Sequence, residues 1–292
     1  MTIALSAPSK TFLVGEYAVL RGGPALLLNT SPRFALTAVQ TGTQSLEGIS
    51  EGAPAERWLK QRAPVWAGWE LNFSDPHAGQ GGFGASGAQF LLAHALTTFM
   101  QSSVARVAEG YDIQALWNDF RVLSEGQGSG ADMLAQSVGQ AALVDVREKL
   151  AVARAWPFAE LGFAIVRTGK KVQTHEHLRG LVGKDLESLV PLAKTCVETF
   201  TPGAATSFVR AVSAYAEALV ALDLQAPETV ARCAELAAEP WCRAVKGCGA
   251  LGADTILVLF LESERQLALS ALPGAVTDRE LSSGLQMNWS WS

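Results

Sequence analysis

Residues 81–88 read Gly-Gly-Phe-Gly-Ala-Ser-Gly-Ala and run straight into the apolar stretch Gln89 to Leu96. Glycines let a backbone turn tightly and bring its N–H groups close to a ligand. A helix behind such a turn adds N–H groups without helical acceptors and the positive end of its dipole. The backbone of Gly82, Phe83, Gly84, Ala85, Ser86 and Gly87 is therefore a candidate anion site, most often one for phosphate. It is not a Walker loop, because no Gly-Lys-Ser/Thr follows. Gly82 to Gly87 matches the dinucleotide fingerprint by letter. However, no strand directly precedes it and no acidic residue follows about 20 residues on. Turns of this composition also serve as plain helix starts, so the phosphate reading needs support from elsewhere in the chain.

Other residues carry little chemistry when taken singly. Lys10 reads as a solvated lysine at a strand end, Asp132 as a helix cap, and Ser86 as an ordinary N-cap. The histidines are His77, His94, His175 and His177. His175 and His177 could pair on a metal, but no third ligand is evident and a surface helix start explains them better. Asp75-Pro76-His77 reads as a turn. No Ser-His-Asp arrangement suggests itself.

The chain has 292 residues, 49% of them hydrophobic and 17% charged, with a formal net charge of −5. That supports one large domain or two ordinary ones with a substantial core. The basic stripe of a nucleic-acid binder is missing, so no nucleic-acid partner is expected. Cys196, Cys233, Cys242 and Cys248 form no C-x-x-C pair, which fits a reduced, cytoplasmic protein. There is no basic, apolar leader at Met1 to Ser6 and no apolar run of about 18 residues, so neither a signal peptide nor a membrane partner is expected.

The elements that must position these residues follow from periodicity. Ile3 to Ala7 predicts a short strand ending at Pro8. Ala25 to Asn29 and Phe34 to Val39 alternate as strands, and residues 41–56 read as a loop or edge hairpin. Trp58, Trp66 and Trp69 read as packing anchors. Ser86 to Ala105 and Leu116 to Leu123 predict helices, the second broken at Glu125 to Asp132 before a short helix over Met133 to Val138. Ala141 to Val146, Leu161 to Val166 and Thr255 to Leu261 read as strands, Thr174 as a helix cap, and Ala-rich helices fill most of 187–238. Lys246 to Asp254 reads as a small-residue approach to the last strand. A boundary near Ala153 to Trp156 divides the chain into 1–155 and 156–292. The mixed order of strands and helices argues for an α+β fold.

Four segments, in this order, resemble the superfamily of galactokinase, homoserine kinase, mevalonate kinase and phosphomevalonate kinase. Ala7 to Leu20, with Lys10 and Gly15-Glu16-Tyr17-Ala18-Val19, is similar to the opening Pro-Gly-Lys…Gly-Glu-His/Tyr-x-Val. Its Gly-Glu-Tyr-Ala-Val is nearest the phosphomevalonate kinase form. Gly82 to Gly87 resembles Gly-Leu-Gly-Ser-Ser-Ala, with Phe83 for Leu, Ala85 for the first Ser and Gly87 for Ala. Gly128-Ser129-Gly130-Ala131-Asp132 is similar to the Ser-Gly-x-Asp of mevalonate kinases and the Gly-Ser-Gly-x-Asp of phosphomevalonate kinases. Lys246 to Asp254, with Gly249 and Ala250, resembles the C-terminal Gly-Ala-Gly-Gly-Gly-Asp. Val166 to Thr174 resembles a strand-to-helix turn of the phosphomevalonate branch, with Arg167, Lys170 and Lys171 as charges for an acidic substrate.

The resemblance implies a two-domain fold, with a ribosomal-protein-S5-domain-2-like N-terminal part and a ferredoxin-like C-terminal α/β sandwich. It implies ATP and Mg²⁺ as cofactors and a monomer or homodimer acting on a small acidic isoprenoid precursor. Lys10 and Asp132 would be catalytic. Residues 82–87 would hold the ATP phosphates and Ser86 the Mg²⁺. Glu16, Tyr17, Ser129, Gly130, Gly249 and Ala250 would meet the substrate. Phosphomevalonate is the favoured acceptor, with mevalonate, decarboxylation of diphosphomevalonate and non-catalytic nucleotide binding as alternatives. The chain departs from the pattern at Ser9, Ala85, Leu251 and Ala253. Arg121 occupies the place, eleven residues before Asp132, where many mevalonate kinases carry a metal-binding glutamate. Asp119 or Glu125 could substitute for it. The lysine typical of phosphomevalonate kinases before the loop is replaced by Gln80 and Gly81, and the Ser86-to-Asp132 interval is short, as in compact mevalonate kinases.

Overall fold

A computed structural model describes residues 1–77, 81–101, 111–126, 128–169, 181, 183–252 and 254–290. In chain order the elements are β1 (Thr2–Val14), β2 (Ala25–Gln40), β3 (Ser45–Glu47), α1 (Pro54–Gln61), β4 (Trp69–Ser74), α2 (Ala85–Gln101), α3 (Ile113–Leu123) and α4 (Ala131–Val138). Then follow β5 (Ala141–Asp145), β6 (Leu150–Arg154), β7 (Leu161–Arg167), α5 (Leu189–Thr199), α6 (Ala205–Ala221), α7 (Pro227–Ala237), β8 (Cys242–Cys248), β9 (Thr255–Leu261), α8 (Arg265–Ala271), β10 (Val276–Thr277) and β11 (Gln286–Ser290).

The expected α+β fold is observed. One sheet runs β11-β1-β2-β4-β3, with β5 and β6 added beside β2. The other is four-stranded, antiparallel and ordered β10-β7-β9-β8. With its intervening helices, the second sheet follows the βαββαβ path of a ferredoxin-like sandwich. A single hydrophobic core joins residues of both sheets, from Ile3 and Leu5 to Leu257 and Leu259. No helix among the described residues is long and apolar enough to cross a membrane.

Several elements differ from the sequence expectation. β1 does not stop at Pro8. The register shifts between Pro8 and Ser9, and opposite that step Arg33 and Thr30 are the paired residues of β2, so Ser31 and Pro32 bulge out. A proline is tolerated at a bulge because no ladder donor is needed there. The two runs expected over 25–39 are thus one strand. The 41–56 loop contains the short strand β3, parallel to β4. Asp132 does not precede its helix but lies in the first turn of α4, because Gly130 takes up the N-cap turn at φ +76. The approach to β9 begins inside another strand, since Lys246 to Cys248 belong to β8.

The strands expected over Ala141 to Val146, Leu161 to Val166 and Thr255 to Leu261, and the helix expected over Leu116 to Leu123, are found near those positions. α2 is buried over most of its circumference, as a core helix should be. Its expected extension to Ala105 and the Thr174 cap lie outside the described residues. Trp58 and Trp66 are buried packing residues, and Trp69 packs partly buried against the core.

The tail returns to the first sheet. β11 pairs antiparallel with β1, and Trp289 lies 5.5 Å from the Phe99 ring while staying 45% exposed. Trp291 lies outside the described residues. Arg33 ties the approach to this strand, donating to Ser6 Oγ and O, Ser282 Oγ, Ser283 O and Gly284 O. Hydrogen bonds from a charged donor are each worth about 1.5–3 kcal/mol. Arg33→Ala is therefore expected to cost about 2 kcal/mol or more in urea unfolding. It should also speed amide exchange selectively in residues 282–290, where a general loss of core packing would not be selective.

Candidate functional site

The glycine loop and α2 are placed by close backbone contacts. Gly82 and Gly84 have φ of +94 and +86. A Cβ on Gly84 would stand 2.7 Å from Lys10 Cγ, and one on Gly82 would stand 2.5 Å from Asp254 Cβ. The loop is bound to β1 by Lys10 N–H donating to Phe83 O at 2.9 Å. α2 then begins at Ala85 with no acidic residue in its first turn. Its first N–H groups lack helical acceptors and carry the positive end of the dipole, so the first turn remains suited to an anion.

Lys10 and Asp132 come together. Lys10 Nζ lies 3.0 Å from Asp132 Oδ2, with the two side chains 8% and 37% exposed. The pair depends on α4 approaching α2, and Gly87 permits that approach. A Cβ there would lie 3.1 Å from Asp132 Cβ and 2.8 Å from Gln136 Oε1. Gln136, one turn after Asp132, donates to Pro8 O at 2.8 Å and to Gly84 O at 3.3 Å. It is fully buried. One amide therefore fixes β1, the glycine loop and α4 relative to one another.

The first and last motifs are joined by charge. Lys246 Nζ donates to Glu16 Oε1 at 2.5 Å, with side-chain exposures of 0% and 6%. Burial opposes the lysine charge, but Cys248 and Glu16 outweigh it and raise the pKa above the usual value. The Tyr17 hydroxyl accepts from Leu251 N–H at 3.1 Å. Burial, and then the Glu16 charge, push the Tyr17 phenol up, so it stays neutral. Asp254 sits between the loops, since a Cβ on Gly249 would lie 2.1 Å from Asp254 Oδ2. Leu251 holds φ +53, a left-handed conformation at a place where the family pattern has glycine.

A cavity of about 620 Å³ opens over this assembly. Lys10, Glu16, Tyr17, Ser86, Gly87, Ser129, Gly130, Asp132 and Gly249 line it. Gly82, Phe83, Gly84 and Ala85 do not stand on its wall. The Phe83 side chain is buried and stacks on His77. The wall also includes Ser50 to Pro54, Arg57, Gln89 and Leu123 to Glu125, none of which the sequence had marked apart from Glu125.

Of the candidate substitutes for the missing glutamate, Asp119 faces His94 Nε2 at 3.2 Å and is not on the wall. Glu125 is on the wall, paired with Arg57 at 2.8 Å. Arg121 donates to Gly126 O and Gly128 O, shaping the turn ahead of Asp132. Gln80, Lys170, Lys171, His175, His177 and Ala253 lie outside the described residues.

Lys246, Gln136 and His77 were missed as positioning residues. Signals for the first two existed in the sequence. Lys246 interrupts the small, apolar run Ala244 to Cys248, and Gln136 stands four residues from Asp132 on the same helix face.

No family model and no curated protein matches the chain. Solved structures do. A phosphomevalonate kinase of Streptococcus pneumoniae has 17% identity, covers 95% of this chain and 98% of its own, and has a TM-score of 0.72. A Lactococcus lactis galactokinase complexed with galactose has 12% identity, coverages of 98% and 95%, and a TM-score of 0.77. A mevalonate kinase of L. major with bound R-mevalonate has 16% identity, coverages of 95% and 95%, and a TM-score of 0.65. At these identities the likeness is one of fold.

Removing one partner of a buried ion pair strands the other charge, at a cost of about 3–5 kcal/mol. Lys246→Met is expected to lose that much stability in urea unfolding. Replacing both partners, as in Glu16→Gln with Lys246→Met, should lose clearly less than the sum of the two single changes.

Proposed function

We propose that this chain, which has the fold of the galactokinase, homoserine kinase, mevalonate kinase and phosphomevalonate kinase superfamily, is an ATP-dependent small-molecule kinase. In this reading it transfers the γ-phosphoryl group to phosphomevalonate. The observation that carries the reading is the Lys10–Asp132 pair, 3.0 Å apart, on the wall of a cavity that also receives the first turn of α2. The fold-neighbour from Streptococcus pneumoniae has been seen with phosphomevalonate and AMPPNP together, at 15% identity and a TM-score of 0.72.

The residues have definable tasks. The first turn of α2, which reaches the wall at Ser86 and Gly87, holds phosphate oxygens, and the loop backbone of residues 82–85 sets that turn in place. Lys10 places an ammonium where negative charge grows as the phosphoryl group passes to the acceptor. Asp132 orients the attacking oxygen and, for a hydroxyl acceptor, takes its proton. Glu16 and Tyr17, held by Lys246 and Leu251 N–H, together with Ser129, Gly130 and Gly249, shape the acceptor side of the cavity. The donor chemistry fits Mg²⁺, which takes hard oxygen ligands and is often bound through one or two carboxylates plus substrate phosphates. Ser86 and Glu125 are the residues that would hold it. When bound with ATP the ion neutralises phosphate charge.

One observation favours mevalonate as the acceptor instead. The described wall carries Glu16, Glu51, Glu125, Asp132 and Asp254 against Lys10 and Arg57. Arg167, expected to meet an acidic substrate, is not on the wall and donates to His77. A less charged acceptor suits such a wall.

The test is ADP release with Mg·ATP and, in turn, mevalonate, phosphomevalonate and diphosphomevalonate, with product masses recorded. Phosphomevalonate is expected to turn over fastest and to gain one phosphoryl group. Fastest turnover of mevalonate would move the reading to its neighbour, and loss of carbon dioxide from diphosphomevalonate would make the enzyme a decarboxylase. Asp132→Asn should lower kcat by about 100-fold to 10,000-fold, and intact turnover would remove its assignment. Lys10→Met should lower kcat. A change in substrate affinity alone would place its role in binding rather than in the transition state.

A further inference from the structure

His77 lies in the turn after β4, is 2% exposed, and stands where the two sheets meet under the glycine loop. Its Nε2 is 2.6 Å from Ser9 Oγ and its Nδ1 is 2.9 Å from Arg167 Nη2. Its ring is stacked on Phe83, with centroids 4.2 Å apart and an interplanar angle of 11°, and meets Phe34 at 5.6 Å. The Arg167 guanidinium also lies 5.1 Å from the Phe83 ring centre.

Two independent constraints set the tautomer. The single Ser9 hydroxyl hydrogen is directed to Pro32 O at 2.5 Å, so Nε2 must carry the hydrogen that reaches Ser9 Oγ. Arginine can only donate, so Nδ1 must present a lone pair. Both requirements are met by one neutral form, with hydrogen on Nε2. Ser9 is also the residue that replaces the family's glycine ahead of Lys10, and it supplies the hydroxyl on which this arrangement rests.

We propose that His77 is a positioning residue that, as this neutral tautomer, clasps β1 to the end of β7 and seats Phe83, so that a proton on Nδ1 opens the clasp and loosens the glycine loop. Protonation would replace the acceptor at Nδ1 with a donor and set an imidazolium against a guanidinium. Among the described residues, the groups facing the ring are Ser9 from β1, Phe34 from β2, Phe83 from the loop and Arg167 from β7. From its own turn, Asp75 accepts the His77 backbone N–H at 2.8 Å. Burial first, and Arg167 second, lower the ring's pKa from 6.5, while Asp75 opposes them. The unfolded chain therefore binds this proton more readily. The clasp contributes its full stability above pH 6.5 and loses it as pH falls below that value. The consequence for nucleotide binding rests on the kinase reading above; the clasp itself does not.

The experiment follows the ring nitrogens of His77 by ¹H–¹⁵N correlation in the full-length protein from about pH 8 to about pH 5, with amide protection factors measured for residues 82–88. The expected result is the Nε2–H tautomer, a titration below pH 6.5, and a fall of about tenfold in loop protection over the same step. His77→Phe keeps a stacking ring without the hydrogen bonds, and Ser9→Ala removes only the hydroxyl. Both should show low protection with that pH step lost. An Nδ1–H tautomer, or variants with wild-type protection and the same pH step, overturns the proposal. Mg·ATP titrations on the same samples separate the two ideas. A pH-stepped loop in a protein that binds no nucleotide upholds the clasp and removes the kinase reading.

Discussion

The site depends on a close approach between four pieces of backbone: β1 at Lys10, the glycine loop at Gly84, the start of α2 at Gly87 and the start of α4 at Asp132. Side chains at Gly84 or Gly87 would occupy space already filled by Lys10, Asp132 and Gln136. Without those side chains, an ammonium, a carboxylate and a helix N-terminus share one wall. Each group is unremarkable alone. In the proposed kinase reading, their meeting is where a phosphate is held and an attacking oxygen presented.

Such a meeting must be kept in register, and buried polar groups do this. The NH2 group of Gln136 is satisfied only when β1 and the loop are both in place, because it donates to Pro8 O and Gly84 O. Glu16 and Lys246 fix the first motif to β8. A desolvated ion pair is weak evidence for stability, since burying the charges offsets much of their attraction. It is strong against misplacement, because any slip leaves a charge stranded in the core. The Tyr17–Leu251 bond adds a second tie between the same two regions. Ferredoxin-like sheet and first sheet are thus joined by directional contacts as well as by a shared apolar core.

The fold class was legible because burial follows period. β7 and β9 are apolar on both faces, and α6 and α7 are Ala-rich and amphipathic, so their positions could be read directly. Element ends were less legible where backbone exceptions govern them. Pro8 looked like a stop but sits at a bulge, and Gly130 caps α4 so that it starts at Ala131, two residues earlier than the apolar pattern suggested. β3 was hidden because a three-residue strand is stabilised by its neighbour rather than by its own pattern.

For the site, the sequence by itself determined the chemical types and their order: a glycine turn before a helix, a lysine on the first strand, an aspartate at a helix start, and small residues before β9. These are local, since turn conformation and helix polarity belong to short segments. Only the tertiary structure decided the pairings. That Lys10 meets Asp132, that Lys246 answers Glu16, that Gln136 bridges β1 to the loop, and that His77 stands between Ser9 and Arg167 are contacts over 52 to 230 positions of chain. No local propensity encodes them. They exist because burying the apolar faces of two sheets and their helices in one core brings these polar residues to the same seam, where each must find a partner or bear the cost of desolvation.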